Sequence, residues 1–287
     1  MHLLLIGGNG MLGRDLAAAA TAPGHTVHVL DVPEFDITRE DSFAAMPGAD
    51  VAINCAAYTR VDDAEKEREL CRRINATGAG LLARACAMRD LPLLHVSTDY
   101  VFDGRKGAAY VESDPVAPLN FYGESKREGE ELVLGAGGPA LVVRTQSLFG
   151  VHGRNFVRAI LGQLQKGVPS LRVVADQVSA PTYTRHLADA LIDLAARPPS
   201  AGIVHAAASG ACSWWTFACA IVERVRPGVP VEKKTTDEMN YPALRPAQSV
   251  LDTARLQQLI GRTLPSWQEG LDAYLAEEPL TAVVRGA

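Results

Sequence analysis

The sequence predicts a protein of the α/β class, in which helices cover both faces of a doubly wound parallel sheet and the C-terminal half forms most of a smaller lobe. Three observations support this fold class. Short, unbroken apolar runs recur through residues 1–150, and each precedes a segment with helical periodicity. A glycine-rich turn joins the first apolar run to the first helix. After Gly150 the alternation becomes irregular.

The composition excludes several functional classes. Of 287 residues, 47% are hydrophobic and 21% are charged, which is typical of a soluble globular protein. The net charge of -5 argues against nucleic acid or an anionic membrane as a partner. No apolar run is long enough to cross a bilayer, and residues 1–6 enter the glycine-rich turn directly, so we expect no membrane span and no signal peptide. The five cysteines lack CxxC spacing and no His/Cys cluster suits a metal, so we predict reduced thiols, a cytoplasmic location and no metal site.

The first element is a buried strand at Leu3–Ile6, followed by Gly7, Gly10 and Gly13 and then by a helix over residues 14–20. Glycine lets the backbone turn tightly and approach a pyrophosphate, which the N–H groups at the helix N-terminus bind. Because this GxxGxxG run follows a strand and opens a helix, it predicts a dinucleotide-binding site.

The second strand, Thr26–Leu30, ends in Asp31. An acid at this position commonly accepts a hydrogen bond from the adenosine ribose of NAD. Arg14, directly after the last glycine, would instead suit the 2'-phosphate of NADP. The sequence leaves the choice between the two cofactors open. Asp36 and Ile37 lie where a third loop could approach the adenine.

Further buried strands are predicted at residues 50–55, 91–96 and 140–144. Residues 62–73 between them are helical and charge-dense, as expected of a solvated face, and a more apolar helix follows over residues 75–87. The strand at 50–55 leads into Ala56 and Ala57, whose small side chains allow a dinucleotide to pass close to the backbone. This repetition of strand and helix predicts an open parallel sheet.

Two hydroxyls, Ser97 and Thr98, follow the strand at 91–96. Ligands of doubly wound sheets gather beyond the carboxyl ends of the strands. Side chains alternate between the two faces of a strand, so only one of the two hydroxyls can face the ligand. The alternative is that either hydroxyl only caps the next element.

Tyr122 and Lys126 lie four residues apart in the helix that follows the loop at 115–120, so their side chains leave the same face. A neighbouring ammonium lowers the pKa of a phenol. Such a tyrosine could donate or accept a proton near neutral pH. A solvated surface pair is the alternative interpretation of this spacing.

The second half of the chain contains helices predicted at 156–165, 187–196, 214–225 and 267–276, and strands at 170–174 and 203–207. We predict a dinucleotide-binding domain over residues 1–150, to which residues 176–212 return. Residues 151–175 and 213–287 would form the smaller, substrate-binding lobe. The tail from Pro279 is expected to fray.

Together these motifs resemble the extended short-chain dehydrogenase/reductase family, whose fold is a Rossmann-type sheet, over nearly the whole chain. The glycine-rich turn and the Tyr122–Lys126 pair are typical of the superfamily. Three segments resemble the branch that reduces nucleotide-linked sugars: residues 97–102 (STDYVF), 176–182 (DQVSAPT) and 245–251.

The resemblance implies both chemistry and site residues. NADPH, with NADH as an alternative, would pass a hydride to the C4 ketone of a dTDP-linked 4-keto-6-deoxyhexose, the precursor of dTDP-L-rhamnose. The catalytic residues would be Thr98, Tyr122 and Lys126. The cofactor-binding residues would be these last two together with Gly7, Asn9, Gly10, Met11, Leu12, Gly13, Arg14, Asp31, Asp36, Ile37, Ala56, Ala57, Tyr58, Thr59 and Asn75. The substrate-binding residues would be Val61, Thr98, Asp99, Tyr100, Ser147 and Arg245.

The chain departs from the family pattern at position 147, where Ser147 stands in place of a tryptophan, so the exact sugar stays open. A 4,6-dehydratase or an epimerase of a nucleotide sugar is one alternative, but dehydratases resemble one another in a Thr-Asp-Glu run whose third position here is Tyr100. A non-enzymatic regulatory subunit with the same fold is another alternative; loss of the Tyr–Lys pair would favour it, but both residues are present. Some family members dimerise through a metal held by carboxylates. Arg185 and His186 occupy the corresponding region, so we allow a homodimer but predict no metal.

Overall fold

The computed structural model describes residues 1–21, 24–197 and 201–278. Its strands are β1 (His2–Ile6), β2 (Thr26–Leu30), β3 (Val51–Asn54), β4 (Leu93–Thr98), β5 (Ala140–Thr145), β6 (Leu148–Phe149), β7 (Leu171–Val174), β8 (Val178–Ser179), β9 (Thr182–Tyr183), β10 (Gly202–His205), β11 (Cys212–Ser213) and β12 (Val231–Lys234). Its α-helices are α1 (Met11–Ala20), α2 (Val61–Ala64), α3 (Arg68–Arg72), α4 (Ala79–Ala87), α5 (Phe121–Leu134), α6 (Phe156–Gln165), α7 (Thr184–Ala195), α8 (Trp214–Val225), α9 (Thr236–Met239), α10 (Ala254–Ile260) and α11 (Trp267–Glu277). The tail predicted to fray lies outside the described residues.

Six parallel strands form the central sheet in the order β10-β5-β4-β3-β1-β2. The strand order reverses between β1 and β3, and a crevice therefore opens at the carboxyl ends of these two strands. The predicted α/β fold with a doubly wound parallel sheet is confirmed. Strand β10 lies at the edge of the sheet beside β5, so the chain returns to the sheet after leaving it at Thr145.

The core consists of apolar layers on both faces of the sheet. In β1, residues Leu3, Leu4 and Leu5 are completely buried. Their side chains alternate between the layer beneath α1 and α7 and the layer beneath α4 and α5. An unbroken apolar run is therefore the pattern that a strand buried on both faces requires.

The largest difference from the predicted elements is a π-helical turn at Arg73–Gly78 between α3 and α4, where a single helix was expected to open at Asn75. Asn75 is buried in this turn. Its Oδ1 accepts the Tyr58 N–H at 2.8 Å, and its Nδ2 donates to the Tyr58 carbonyl at 3.0 Å. A π-turn offsets the helix so that this side chain can reach across to the loop. Helix α1 also starts earlier than expected, because the glycine-rich turn ends at its N-cap Gly10.

Three two-stranded sheets and the last helices make up the rest of the chain. Their core is aromatic, with Phe149 in contact with both Phe217 and Tyr274. The segment 243–252 then crosses back over the N-terminal half. The Gln248 N–H donates to the Gly104 carbonyl at 3.3 Å, and the Tyr110 N–H donates to the Val250 carbonyl at 2.8 Å. The division into two domains at these boundaries stays a prediction. No helix in the described ranges is long and apolar enough to span a membrane.

Candidate active site

A cavity of about 610 Å³ opens at the carboxyl ends of β1, β3, β4 and β5. A neighbouring cavity of about 390 Å³ continues toward β2. Of the residues predicted from the sequence, the larger cavity is lined by Gly7, Gly10, Met11, Leu12, Gly13, Ala57, Thr59, Thr98, Tyr122, Lys126 and Ser147. The smaller one is lined by Gly7, Asn9, Gly10, Asp31, Asp36, Ile37, Ala56 and Ala57. The two cavities together are an elongated cleft of the size that a dinucleotide and a sugar need.

The glycine-rich turn can follow its path only because it lacks side chains. Gly7 has a φ of +76°, and a Cβ placed there would lie 2.5 Å from the backbone nitrogen of Ala56. A Cβ on Gly13 would lie 2.5 Å from the Gly7 carbonyl oxygen. The turn therefore presses directly against the loop after β3, and the N-terminus of α1 faces the cleft.

Asp31 braces this turn from the end of β2. Its two carboxylate oxygens accept the N–H groups of Asn9 and Val32, each at 2.8 Å. Arg14, which was predicted to meet the cofactor, is exposed and does not line either cavity; its Nε donates to the Asn9 carbonyl at 2.9 Å.

Helix α5 is fixed against its neighbours at both ends of the Tyr–Lys pair. Asn120 caps its N-terminus by accepting the Gly123 N–H at 2.8 Å. A Cβ on Gly123 would come within 2.2 Å of the Tyr100 carbonyl oxygen, and one on Gly129 within 2.1 Å of the Asn75 carbonyl oxygen. Only glycine permits this approach, so α5 sets the positions of Tyr122 and Lys126 closely.

Tyr122 and Thr98 both line the larger cavity, where the Thr98 hydroxyl lies near the phenol. Burial raises the pKa of Tyr122, while the neighbouring Thr98 hydroxyl acts in the opposite direction. The expected depression of this pKa by Lys126 is wrong for this arrangement, because desolvation of the phenol outweighs any charge near it. Tyr122 is consequently held in its protonated form.

Lys126 is almost completely buried, at 1% exposure, beneath Tyr122. Its ammonium nitrogen donates to the Val96 carbonyl at 2.8 Å. Burial lowers the pKa of Lys126 to about 8, although the carboxylate of Glu130 acts to raise it. The interpretation of the Tyr–Lys spacing as a solvated surface pair is therefore wrong.

Ser97, the other hydroxyl at the end of β4, has a different partner. It donates to Glu130 Oε1 at 2.6 Å. The same carboxylate accepts two bonds from Arg144 of β5, at 2.9 and 2.6 Å, and both charged side chains are nearly completely buried. This ion pair fastens α5 to the sheet directly beneath the Tyr–Lys pair, and no pattern in the sequence pointed to it.

Several predicted residues do not line either cavity. Asn75 is buried and its amide is engaged with Tyr58 and Ser125. The Tyr58 hydroxyl donates to Glu67 at 2.9 Å. These residues support the cleft from behind instead of facing it.

The predicted substrate residues other than Thr98 and Ser147 also do not line either cavity. Asp99 is buried, its Oδ1 accepts from the Thr98 hydroxyl at 3.1 Å, and burial raises its pKa to about 7. The rings of Tyr100 and Tyr122 contact edge to face, with centroids 5.8 Å apart. Arg245 forms an ion pair with Asp62 at 2.8 Å, next to Val61 at the start of α2. The contacts of this group tie the segment 243–252 to the edge of the site.

The cavity also contains residues that the sequence did not single out. Arg154 lies at its mouth with Gly153, whose Cβ position is 3.8 Å from the Met11 Cβ. Arg158 holds this loop by donating to the carbonyls of Val151 and Gly153, at 2.9 and 3.2 Å. Arg154 forms no ion pair within the described part of the chain. A lone arginine in an irregular loop carries no spacing signal, which is why it escaped the sequence analysis.

Ser147 occupies the floor of the cavity with a φ of +48°. Its hydroxyl lies 2.7 Å from that of Ser179. The place where the family pattern has an aromatic ring is thus a pair of small hydroxyls. Within residues 1–21, 24–197 and 201–278, no group of three or more His, Cys, Asp or Glu side chains could hold a metal ion.

The family model described as the RmlD substrate binding domain matches residues 1–279. This chain belongs to the RmlD substrate binding domain family. A relative in this family, the dTDP-4-dehydrorhamnose reductase of Mycolicibacterium smegmatis, is 41% identical over 96% of this chain and 85% of its own length. A probable dTDP-4,6-dihydroxy-2-methyloxan-3-one 4-ketoreductase of Streptomyces antibioticus is 37% identical over the full length of both chains.

Among solved structures, the chain is similar to the dTDP-4-dehydrorhamnose reductase of Bacillus anthracis in complex with NADP. The TM-score is 0.92 and the identity 35%, with 96% of this chain and 99% of that chain covered. The similarity to the RmlD family therefore includes the whole cleft and is not confined to the dinucleotide-binding half. The predicted resemblance to the extended short-chain dehydrogenase/reductase family is confirmed.

Proposed function

We propose that this chain is an NAD(P)H-dependent reductase that converts the C4 ketone of dTDP-4-dehydro-L-rhamnose to the alcohol of dTDP-L-rhamnose. The observation that carries the proposal is the convergence of Thr98, Tyr122 and Lys126 in one cavity with the glycine-rich turn. The names of the relatives that match the chain over almost its whole length support the same reaction.

The three residues would divide the chemistry between them. NADPH, or NADH, supplies the hydride when it is bound along the glycine-rich turn. Tyr122 donates a proton to the oxygen of the carbonyl as negative charge develops there. Its raised pKa keeps the proton on the phenol before the reaction. Thr98 orients the carbonyl, and Lys126 stabilises the phenolate that remains and bonds the nicotinamide ribose.

The cofactor-binding roles rest on the fit of the cleft. The glycines of the turn leave open backbone beside the N-terminus of α1, which would hold the pyrophosphate. Asp31 and Asp36 line the smaller cavity, where the adenosine would lie. NADPH is the first choice of cofactor because NADP is bound in the similar Bacillus anthracis enzyme.

A second candidate substrate is another dTDP-linked 4-keto sugar. The similarity to the Streptomyces antibioticus ketoreductase supports it. The small hydroxyls of Ser147 and Ser179 at the floor of the cavity leave room that an indole ring would fill, so a differently substituted sugar ring could fit. The chemistry would be the same in both cases.

The direct test is to incubate the purified protein with dTDP-4-dehydro-L-rhamnose and each reduced nicotinamide, and to follow oxidation of the cofactor at 340 nm. We expect oxidation with formation of dTDP-L-rhamnose. Oxidation with a related 4-keto sugar alone would support the second candidate. If neither sugar caused cofactor oxidation, the reductase proposal would be wrong, and conversion without net oxidation would identify an epimerase.

Arg154 provides a test of the cofactor orientation. Its guanidinium shares the cavity mouth with the N-terminus of α1, so we propose that it binds the pyrophosphate from the opposite side. Arg154→Ala is expected to raise the KM for NADPH by about 10-fold, the value of one charge-assisted hydrogen bond, with little change in kcat. Initial rates at several NADPH concentrations measure this. Arg84→Ala, at an exposed arginine of α4, is the matched control. Equal effects of the two changes would contradict the assignment.

The homodimer and the cytoplasmic location stay predictions. Light scattering of the purified protein tests the first, and fractionation of the source cells tests the second.

A further inference from the structure

His95 lies in the middle of β4 and is completely buried, directly behind Lys126. Its Nε2 is 3.4 Å from Lys126 Nζ, and its Nδ1 is 3.0 Å from Asn54 Nδ2 at the end of β3. Burial holds the pKa of His95 well below its usual value, so the ring is neutral. A neutral imidazole has one donor and one acceptor, and its neighbours decide which nitrogen is which.

The neighbours of His95 leave only one tautomer. The Ala56 N–H donates to Asn54 Oδ1 at 3.0 Å, which fixes the orientation of the Asn54 amide. Asn54 Nδ2 therefore points at His95 and must donate to Nδ1. The single proton of the imidazole then resides on Nε2, which faces Lys126.

This tautomer of His95 favours one protonation state of Lys126. An ammonium has three N–H donors and no acceptor, so it would meet the Nε2–H as donor against donor. A neutral amine has a lone pair that can accept from Nε2–H, while one of its own N–H groups still donates to the Val96 carbonyl at 2.8 Å. The network is fully satisfied only when Lys126 is uncharged.

We propose that His95, oriented by Asn54, is a positioning residue that stabilises Lys126 as an uncharged hydrogen-bond acceptor. The chain of donors runs from the Ala56 backbone through Asn54 and His95 to Lys126. It starts in the loop that lines the cofactor cavity and ends beneath Tyr122. It thus extends between the two parts of the cleft.

Other groups that face Lys126 act in the opposite direction. Glu130, one turn further along α5, and the thiols of Cys55 and Cys71 all raise its pKa. The carboxylate of Glu130 is already occupied by Arg144 and Ser97. Burial nevertheless lowers the pKa of Lys126 to about 8.

For the proposed reductase, this contact would affect the pH at which kcat/KM declines on the alkaline side. Stabilisation of a phenolate at Tyr122 requires the ammonium form of Lys126. That form is present below the pKa of Lys126 and is lost as the pH rises through about 8. Removal of the His95 contact raises this pKa, so the decline of kcat/KM moves to higher pH.

The test uses two variants that break the network differently. His95→Asn is too short to reach Lys126. Asn54→Asp accepts from Nδ1–H and so reverses the tautomer, which turns Nε2 into an acceptor for the ammonium. In each variant we expect the titration midpoint of the Lys126 side chain to rise by about one pH unit, which corresponds to the free energy of one hydrogen bond. Lysine labelled with ¹³C at Cε reports the midpoint by NMR in the intact protein. The six lysines allow assignment by the signal missing from Lys126→Met.

The control is His205→Asn, since His205 is also completely buried in the sheet but bonds the Tyr110 carbonyl, away from Lys126. It is expected to leave the midpoint unchanged. A rise in Asn54→Asp alone would show an effect of the added charge and would overturn the role of His95, as would no rise in either variant. This inference rests on the proposed function only for the rate profile. If the titration midpoint of Lys126 shifted as expected but the protein oxidised no cofactor, the proposed reductase function would be wrong and the proposed role of His95 would still be supported.

Discussion

Replacing Tyr122 by phenylalanine is expected to lower kcat for ketone reduction by about 10²–10⁴-fold, the usual contribution of a positioned proton donor. The change removes only the hydroxyl that meets Thr98 in the cavity. The ring keeps its edge-to-face contact with Tyr100. The affinity for NADPH, measured by quenching of protein fluorescence, is expected to change little.

Tyr110→Phe is the matched control, because it also removes a phenolic hydroxyl, one that donates to Asp103 at 2.7 Å and does not line the cavity. It is expected to retain kcat within a few-fold. Near-normal turnover in Tyr122→Phe with cofactor bound would show that another group supplies the proton.

The second large effect is on stability. Glu130→Gln keeps the shape of the side chain but leaves the buried Arg144 guanidinium without its counter-charge. Breaking a buried ion pair by removal of one partner costs about 3–5 kcal/mol. We expect the free energy of unfolding to fall by that amount, which urea denaturation followed by circular dichroism would measure.

The control for this prediction is an exposed ion pair on the same helix. Glu131, the next residue, pairs with Arg127 at 3.0 Å on the exposed side. Glu131→Gln is expected to cost less than about 1 kcal/mol, since exposed pairs are screened by water. If both substitutions had the same small effect, the buried pair would have no special part in anchoring α5.

The sequence was sufficient for the parts of this protein that follow from local pattern. The apolar run of β1 and the glycines at 7, 10 and 13 predicted a buried strand, a tight turn and a helix N-terminus, and the structure has all three. The spacing of Tyr122 and Lys126 placed them on one face of a helix, which is also observed. Each of these features depends on neighbours within a few residues.

What the sequence could not predict depends on distant partners. The contact between Lys126 in helix α5 and His95 in strand β4 joins residues 31 positions apart, and no periodicity in the chain connects the two. The expected effect of Lys126 on the pKa of Tyr122 failed for the same reason, since the extent of burial is set by the whole fold. Arg154 reaches the cavity through a loop held by Arg158, a contact that only the folded chain displays.

The return of segment 243–252 across the N-terminal half has a consequence for the order of folding during synthesis. The ribosome delivers β1 to β5 and α5 first, and domains generally begin to fold from the N-terminus. Yet Asn120, which caps the helix of Tyr122, donates its side-chain amide to the Leu244 carbonyl, 124 residues later in the chain. A nascent chain that ends before this segment lacks the contacts that residues 243–252 make with Asn120 and Gly104. Termination before residue 243 is therefore expected to leave the helix of Tyr122 without its contact to Leu244.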